Sequence, residues 1–337
     1  MENSLPDECA ASLGFPAFAP VASLFSITHL FDSGRKRCGV YLLHFQAGSF
    51  YIGQSVDVVR RFSEHRRIYD DIVGFSFLPV EKIYLEDKEK DIIFRAEIQG
   101  IKIINAVHVS ILSGTADLDS IIPRAEQDEW LKDPISFVKQ RPQGEKITLP
   151  DSLQIRFAKS FQKFRKHQLA PKILPLAKRY IEYCLPFPRK TEHSFWAVSC
   201  MPSTNRNTFP RLLSVNVGVM EIFVAGWMKH NPTRLWAFLT IAGDVLEDSG
   251  ISIYQLKKTY PFLNKSYRGY RDAGQYQVTL SVEGDDKLEI LLDNPTVLKA
   301  AATLALRVMR KHATIYSKFH CSQLADVLLA EEGAKNL

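Results

Sequence analysis

A chain of 337 residues, 46% hydrophobic and 24% charged, has enough apolar surface to bury a full core, and its length fits two domains more readily than one. Its 43 Lys and Arg against 37 Asp and Glu leave a formal charge of +6, which favours a polyanionic partner without demanding one. No uncharged run approaches the ~20 apolar residues that span a bilayer, and Cys9, Cys38, Cys184, Cys200 and Cys321 are scattered without CxxC spacing, so the expectation is a cytoplasmic protein with free thiols and neither a zinc cluster nor a disulfide framework.

Residues 1–23 open acidic, are interrupted by Pro16 and Pro20, and read as a loose leader without the pattern of a secretory signal. The first compact unit is expected over 24–112. GVYLLHF and SFYIGQS, separated by QAG, have the pattern of a β-hairpin. Ser55 is placed to cap a following helix, VDVVRRFSEHRRIYDD, whose first turn holds Asp57. IVGFSFLPV reads as a third strand. EDKEKDIIFRAEIQG then has Ile92, Ile93 and Ala96 at helical spacing and Gly100 in position to end the helix. The sum is an α+β unit, helices on a three-stranded sheet.

Residues 113–150 weaken in pattern and read as a linker. From 151 to 180 the chain is basic, as two helices divided near Pro171. SFWAVSCM, RLLSVNV, MEIFVAGWM, LWAFLTI and YQVTLSV follow as strands, and 295–331 as two closing helices, giving a second α+β domain over 151–337.

The hairpin and the elements after it carry an ordered series: GVY at 39–41, YIG at 51–53, Arg61, His65, a glutamate on the next helix, and Asn105. The series resembles the motif set of the GIY-YIG nucleases, over residues 24 to 112. GVY or YIG alone is common by chance; the full series in order is specific. Independently of that likeness, tyrosines on adjacent strands can bring their phenols together, and Arg61 and His65, four apart, project from one helix face. Phosphodiester hydrolysis needs an activated water, positive charge against the developing phosphorane and help for the leaving oxygen, and these residue types supply each.

The resemblance implies a one-metal mechanism in which a glutamate holds Mg²⁺ or Mn²⁺, with water and phosphate oxygens completing the shell. Tyr41 is then the expected general base, assisted by a nearby cation because a free tyrosine is mostly protonated at neutral pH. Tyr51 would hydrogen-bond water or phosphate, Arg61 would clamp a non-bridging oxygen, and Asn105 would order the site through its amide. Glu86, Glu89 and Glu97 all precede Asn105. Glu89 is favoured because it precedes Ile92 and Ile93 by helical spacing, at the edge of the apolar face; Glu86 is the second choice, and Glu97 stands nearer Asn105 than the resemblance implies.

Arg60, Arg66 and Arg67 flank the catalytic pair and are expected to meet nucleic-acid backbone. Lys159, Lys163 and Lys166 form a further basic surface, interleaved with Phe157, Phe161 and Phe164, which share one helical face. The expectation is a metal-dependent endonuclease acting on nucleic acid, DNA favoured over RNA, with a second domain whose role the sequence leaves open between target recognition, homodimer formation and sensing another partner. The competing class is a nucleic-acid-binding or assembly protein that keeps the fold without catalysis. A small-molecule enzyme in the second domain has no motif behind it.

Overall fold

The structure, a computed structural model, describes residues 4–31, 34, 36–104, 116–140, 155–266, 270, 273–274 and 276–330. The chain divides into two compact units, Met1–Gly114 and Thr115–Leu337. Both are α+β with antiparallel sheets. Among the described residues no helix is long and apolar enough to cross a membrane.

In the N-terminal unit, β1 (Ala19–Pro20), β2 (Gly39–Phe45), β3 (Phe50–Ser55) and β4 (Ile72–Pro79) form one sheet in the order β1-β4-β2-β3. The sheet therefore has four strands where three were expected. The extra edge strand comes from the segment read as a leader, and Pro20 is tolerated there because an edge position leaves its missing N–H unused. That segment also forms α1 (Ser4–Ser12), and Ala10, Leu13 and Phe15 are buried against β2 and β3.

The sheet separates two apolar layers, and strand periodicity decides which residue enters which. Val40, Leu42, Phe50 and Ile52 face α3 (Leu85–Ile98), meeting Leu85, Ile92, Ile93 and Ala96. Tyr41, Leu43 and Phe45 face the opposite way, towards α2 (Val58–Arg66) and its Val58, Val59 and Phe62. Asp57, not Ser55, is the N-cap of α2: its Oδ1 accepts from the N–H groups of Val59 and Arg60 at 3.1 and 3.3 Å, while the Ser55 hydroxyl accepts from Asp57. α3 stops where the sequence places a glycine. Gly100 has φ +69, its N–H meets the Glu97 carbonyl, and the Ile101 N–H reaches back to Ala96, a Schellman closure that a side chain at residue 100 would strain.

Arg66 departs from its expected role as a phosphate contact. Its guanidinium donates to the carbonyls of Leu24, Val21, Asp70 and Ile72 at 2.6–3.1 Å, tying α2 to the N-terminal segment and to the start of β4. Four of the five guanidinium N–H donors are used within the fold. Arg66→Ala is therefore expected to cost about 3 kcal/mol of stability, the scale of losing charge-assisted hydrogen bonds, measured as a fall in the urea midpoint. Arg60 and Arg67 stay exposed on the same helix.

The C-terminal unit is built on β5 (Trp196–Cys200), β6 (Arg211–Val217), β7 (Met220–Met228), β8 (Asn231–Ala242), β9 (Asn264–Ser266) and β10 (Gln277–Glu283), in the order β5-β6-β7-β8-β10-β9. The stretch expected as a linker belongs to this unit. It folds into α4 (Arg124–Lys132) and α5 (Pro134–Gln140), and Leu118, Ile122 and Trp130 are buried in the core. The basic segment forms α6 (Ala158–Arg165) and α7 (Ala170–Cys184), with Pro171 in the first turn of α7, where its missing N–H is harmless. α8 (Pro188–Thr191), α9 (Gly243–Asp248), α10 (Ile253–Thr259) and α11 (Asp285–Leu292) precede the closing helices α12 (Pro295–Lys311) and α13 (Ser322–Leu328). Asp119 and Gln127 both accept from the Arg310 guanidinium of α12, at 2.6 and 2.9 Å, which anchors residues 117–132.

Candidate active site at the β3 edge

Tyr41 and Tyr51 lie on the same face of the hairpin, because Tyr41 pairs with Gly53 and Tyr51 sits two residues before that glycine on β3. Their rings stack with centroids 6.2 Å apart. Gly53 makes this possible: a Cβ there would overlap the Tyr41 phenol and press on the Tyr51 ring. Gly39 serves a different need. The space above it is filled by the Leu78 carbonyl and the Phe77 ring, so it admits β4 and not a reacting group.

α2 brings the next residues to this face. Its His65 has Nε2 2.7 Å from the Tyr41 hydroxyl and its ring edge on Tyr51, centroids 4.7 Å apart. Tyr69 stacks beyond the imidazole. Arg61, one turn earlier, is held by Glu64 at 2.8 Å and lies close enough to both phenols to interact with each.

The fifth residue arrives from the other face. Glu89 falls in the buried stripe of α3 with Leu85, Ile92 and Ala96, and is 8% exposed. Its Oε2 accepts from the Gln54 side chain at 2.9 Å. Gln54 and Gly53 are neighbours on β3, the last strand of the sheet, with side-chain positions on opposite faces. The carboxylate of one layer and the phenols of the other thus meet around that strand, close enough for Glu89 to act electrostatically on both tyrosines. Glu86, by contrast, pairs with Lys90 on the exposed side of α3. Asn105 lies outside the described residues.

Protonation follows from burial. Tyr41 is 1% exposed, and desolvation, reinforced by Tyr51, pushes its phenol well above the ordinary value despite the opposing pull of Arg61. Burial raises Tyr51 as well. Burial, and secondarily Arg61, lowers His65 from 6.5 to about 4. Both members of the Tyr41–His65 pair are therefore neutral at pH 7, with one proton between them. A standing tyrosinate at Tyr41, the simplest form of the expected general base, is not what this environment favours.

The His65 shift predicts a pH dependence. Above the ordinary 6.5, folded and unfolded chains both hold a neutral imidazole. Below it, the unfolded chain takes up a proton that the folded site refuses until about 4, so stability falls as pH drops through that window and levels beneath it. Urea midpoints at pH 7 and pH 5 should show this loss in the wild type, and a smaller one in His65→Gln.

The donor set bears on the metal. Among the described residues no three His, Cys, Asp or Glu side chains cluster as a metal-binding group. That does not suit zinc, which takes three or four protein ligands. A buried carboxylate at a sheet edge does suit Mg²⁺ or Mn²⁺, hard ions that keep several waters and use substrate phosphates for the rest.

Sequence reasoning missed two supporting residues, Gln54 and Glu64. Gln54 directly follows YIG, and Glu64 stands three residues after Arg61, so adjacency to the motif was the available signal. Lys159, Lys163 and Lys166 are exposed along α6 of the C-terminal unit, where Phe164 is buried in the core and Phe157 and Phe161 are partly buried against it. No family model matches the chain, and comparison with curated proteins and with solved structures gives no match either.

Proposed function

We propose that the N-terminal unit is a GIY-YIG-type endonuclease that hydrolyses phosphodiester bonds in nucleic acid, with DNA the favoured substrate. What supports this most is the convergence of Tyr41, Tyr51, Arg61, His65 and Glu89, drawn from two strands and two helices, around one end of β3. No packing requirement explains a carboxylate and a guanidinium beside two stacked phenols and a buried imidazole.

In this reading Arg61, half-exposed and oriented by Glu64, binds a non-bridging oxygen of the scissile phosphate. Tyr51, less buried than Tyr41, hydrogen-bonds the attacking water or the phosphate. As water attacks, its proton passes to the Tyr41 oxygen while the phenolic proton moves to His65 Nε2, and the P–O bond to the leaving oxygen breaks, that oxygen taking a proton from solvent, so neither a free phenolate nor an isolated imidazolium need exist beforehand. Glu89 would hold the Mg²⁺ or Mn²⁺, with Gln54 fixing the carboxylate. The ion, when bound, would supply charge against the developing phosphorane. Exposed Arg60 and Arg67 would track the adjoining backbone. Five cysteines without disulfides accord with a reducing, cytoplasmic setting.

The test is incubation of the purified chain with supercoiled plasmid, single-stranded DNA and RNA, each with Mg²⁺, with Mn²⁺ and with EDTA. Cleavage that needs the ion and is greatest on DNA is expected. Stable retention of nucleic acid without product under every condition would instead establish a binding protein on a nuclease-like scaffold.

A further inference from the structure

We infer that the C-terminal unit carries a separate pocket for a single unpaired nucleobase. A cleft of about 410 Å³ opens beside β5 and β6, within the ~300–1,000 Å³ usual for small-ligand sites. Its floor is one face of the sheet, and that face is polar. Ser199 pairs directly with Ser214, and Asn216 follows two residues on, so all three side chains point the same way. They are 8, 2 and 2% exposed.

Buried polar groups are ordinarily satisfied within the protein. Here they are only partly so. The Ser214 hydroxyl donates towards Asn216 Oδ1 and the Glu221 carboxylate at 3.1 and 3.3 Å, and one Asn216 amide N–H goes to the Ser214 carbonyl at 3.1 Å. The second Asn216 N–H and the Ser199 hydroxyl have no partner among the described residues. The floor thus offers a donor and a group that can donate or accept, spaced along a strand. A base edge presents the same kind of pattern.

The walls and mouth narrow the class further. Phe157, Tyr316 and Phe319 line the cleft, supplying flat apolar surface for a planar ring. Two of these aromatics carry cations: the Arg156 guanidinium lies 5.6 Å from the Phe157 centroid, and the Lys318 ammonium 5.1 Å from that of Phe319. Arg206 stands exposed at the rim. Glu221, the acid in the lining, is paired with Arg211, so a polar floor, aromatic walls and Arg206 at the rim match the edge, the face and the phosphate of one nucleotide. The loop that forms the rim also holds Met201 and Asn205 in left-handed backbone, φ 47 and 56, a strained conformation that tends to persist at binding sites. A base in this cleft stands apart from any stack, as in an extruded or single-stranded nucleotide. The pocket deepens the nuclease reading and takes its biological sense from it.

The experiment is saturation-transfer NMR on the full chain in EDTA, with the four nucleoside 5′-monophosphates and ribose 5-phosphate as probes. Transfer to base protons of at least one nucleotide is expected, with none to ribose 5-phosphate. Phe319→Ala, at a half-exposed position, and Ser199→Ala should each weaken that nucleotide about tenfold, the effect of losing one base–aromatic stack or one buried hydrogen bond. Absence of base-proton transfer from all four nucleotides, equal binding of ribose 5-phosphate, or unchanged affinity in both variants would overturn the inference. The readout needs neither metal nor cleavage. A wild-type chain that binds a base but cuts nothing would leave the pocket standing and remove the nuclease, and a chain that cuts but binds no base would do the reverse.

Discussion

Glu89→Gln is expected to lower the rate of plasmid cleavage by at least about 10³-fold, the upper end of what loss of one preorganised electrostatic contact removes. The change is nearly isosteric, so the stripe formed with Leu85, Ile92 and Ala96 keeps its shape. The charge beside Gln54 is lost, while the new amide keeps an oxygen that can accept from it. Trading a hydrogen bond to a charged acceptor for one to a neutral acceptor costs about 1 kcal/mol, so the variant should unfold within a few degrees of the wild type. Cleavage and melting measured on the same preparation separate the two effects. Glu86→Gln, which breaks a part-exposed pair with Lys90, should cut at the wild-type rate. Full activity in Glu89→Gln would transfer the metal to another carboxylate.

Arg61→Ala is expected to lower kcat by about 10²–10³-fold, since it removes the cation nearest both phenols and the group proposed to hold the phosphate. Its stability effect should be small. The ion pair with Glu64 is 43 and 39% exposed at its two side chains, and such pairs contribute ~0.2–1 kcal/mol. Arg61→Lys should recover only part of the rate, because an ammonium cannot present the planar fork that meets two phosphate oxygens. Steady-state kinetics with a fluorogenic oligonucleotide would show the loss in kcat. A change confined to KM would place Arg61 in uniform substrate binding.

The elements of the N-terminal unit that follow from local rules were legible in its sequence. GVYLLHF and SFYIGQS pair as a hairpin in the register that sets Tyr41 opposite Gly53, and Gly100 stops α3 because only glycine takes its backbone conformation freely. What escaped was whatever depends on contacts distant in sequence. Pro16 and Pro20 mark residues 4–20 as irregular, yet the carbonyls beyond them satisfy Arg66 and their apolar residues complete a core layer. Residues 116–140 are polar enough to read as a linker, but Trp130 and the Asp119–Gln127–Arg310 bonds tie them into the second unit. The candidate site shows the same division. Tyr41, Tyr51, Arg61 and His65 lie close together in sequence and share one face of the sheet. Helical spacing sets Glu89 apart from Glu86, at the edge of the apolar face of α3, but that α3 brings it to Gln54 is stated by no spacing rule. The floor of the C-terminal cleft was also invisible, because Ser199, Ser214 and Asn216 are ordinary polar residues until strand pairing aligns them.

The central claim is that the residues of α2 and the carboxylate of α3 act on one and the same ester. A double-mutant cycle on partly active variants, Arg61→Lys, Glu89→Asp and the two combined, measures this through kcat for a single phosphodiester substrate with Mg²⁺ saturating. Groups that act as a unit give strongly non-additive losses, so the combined variant should be little slower than the worse single one. Losses that simply multiply, or single variants that cut as fast as the wild type, would contradict a shared site.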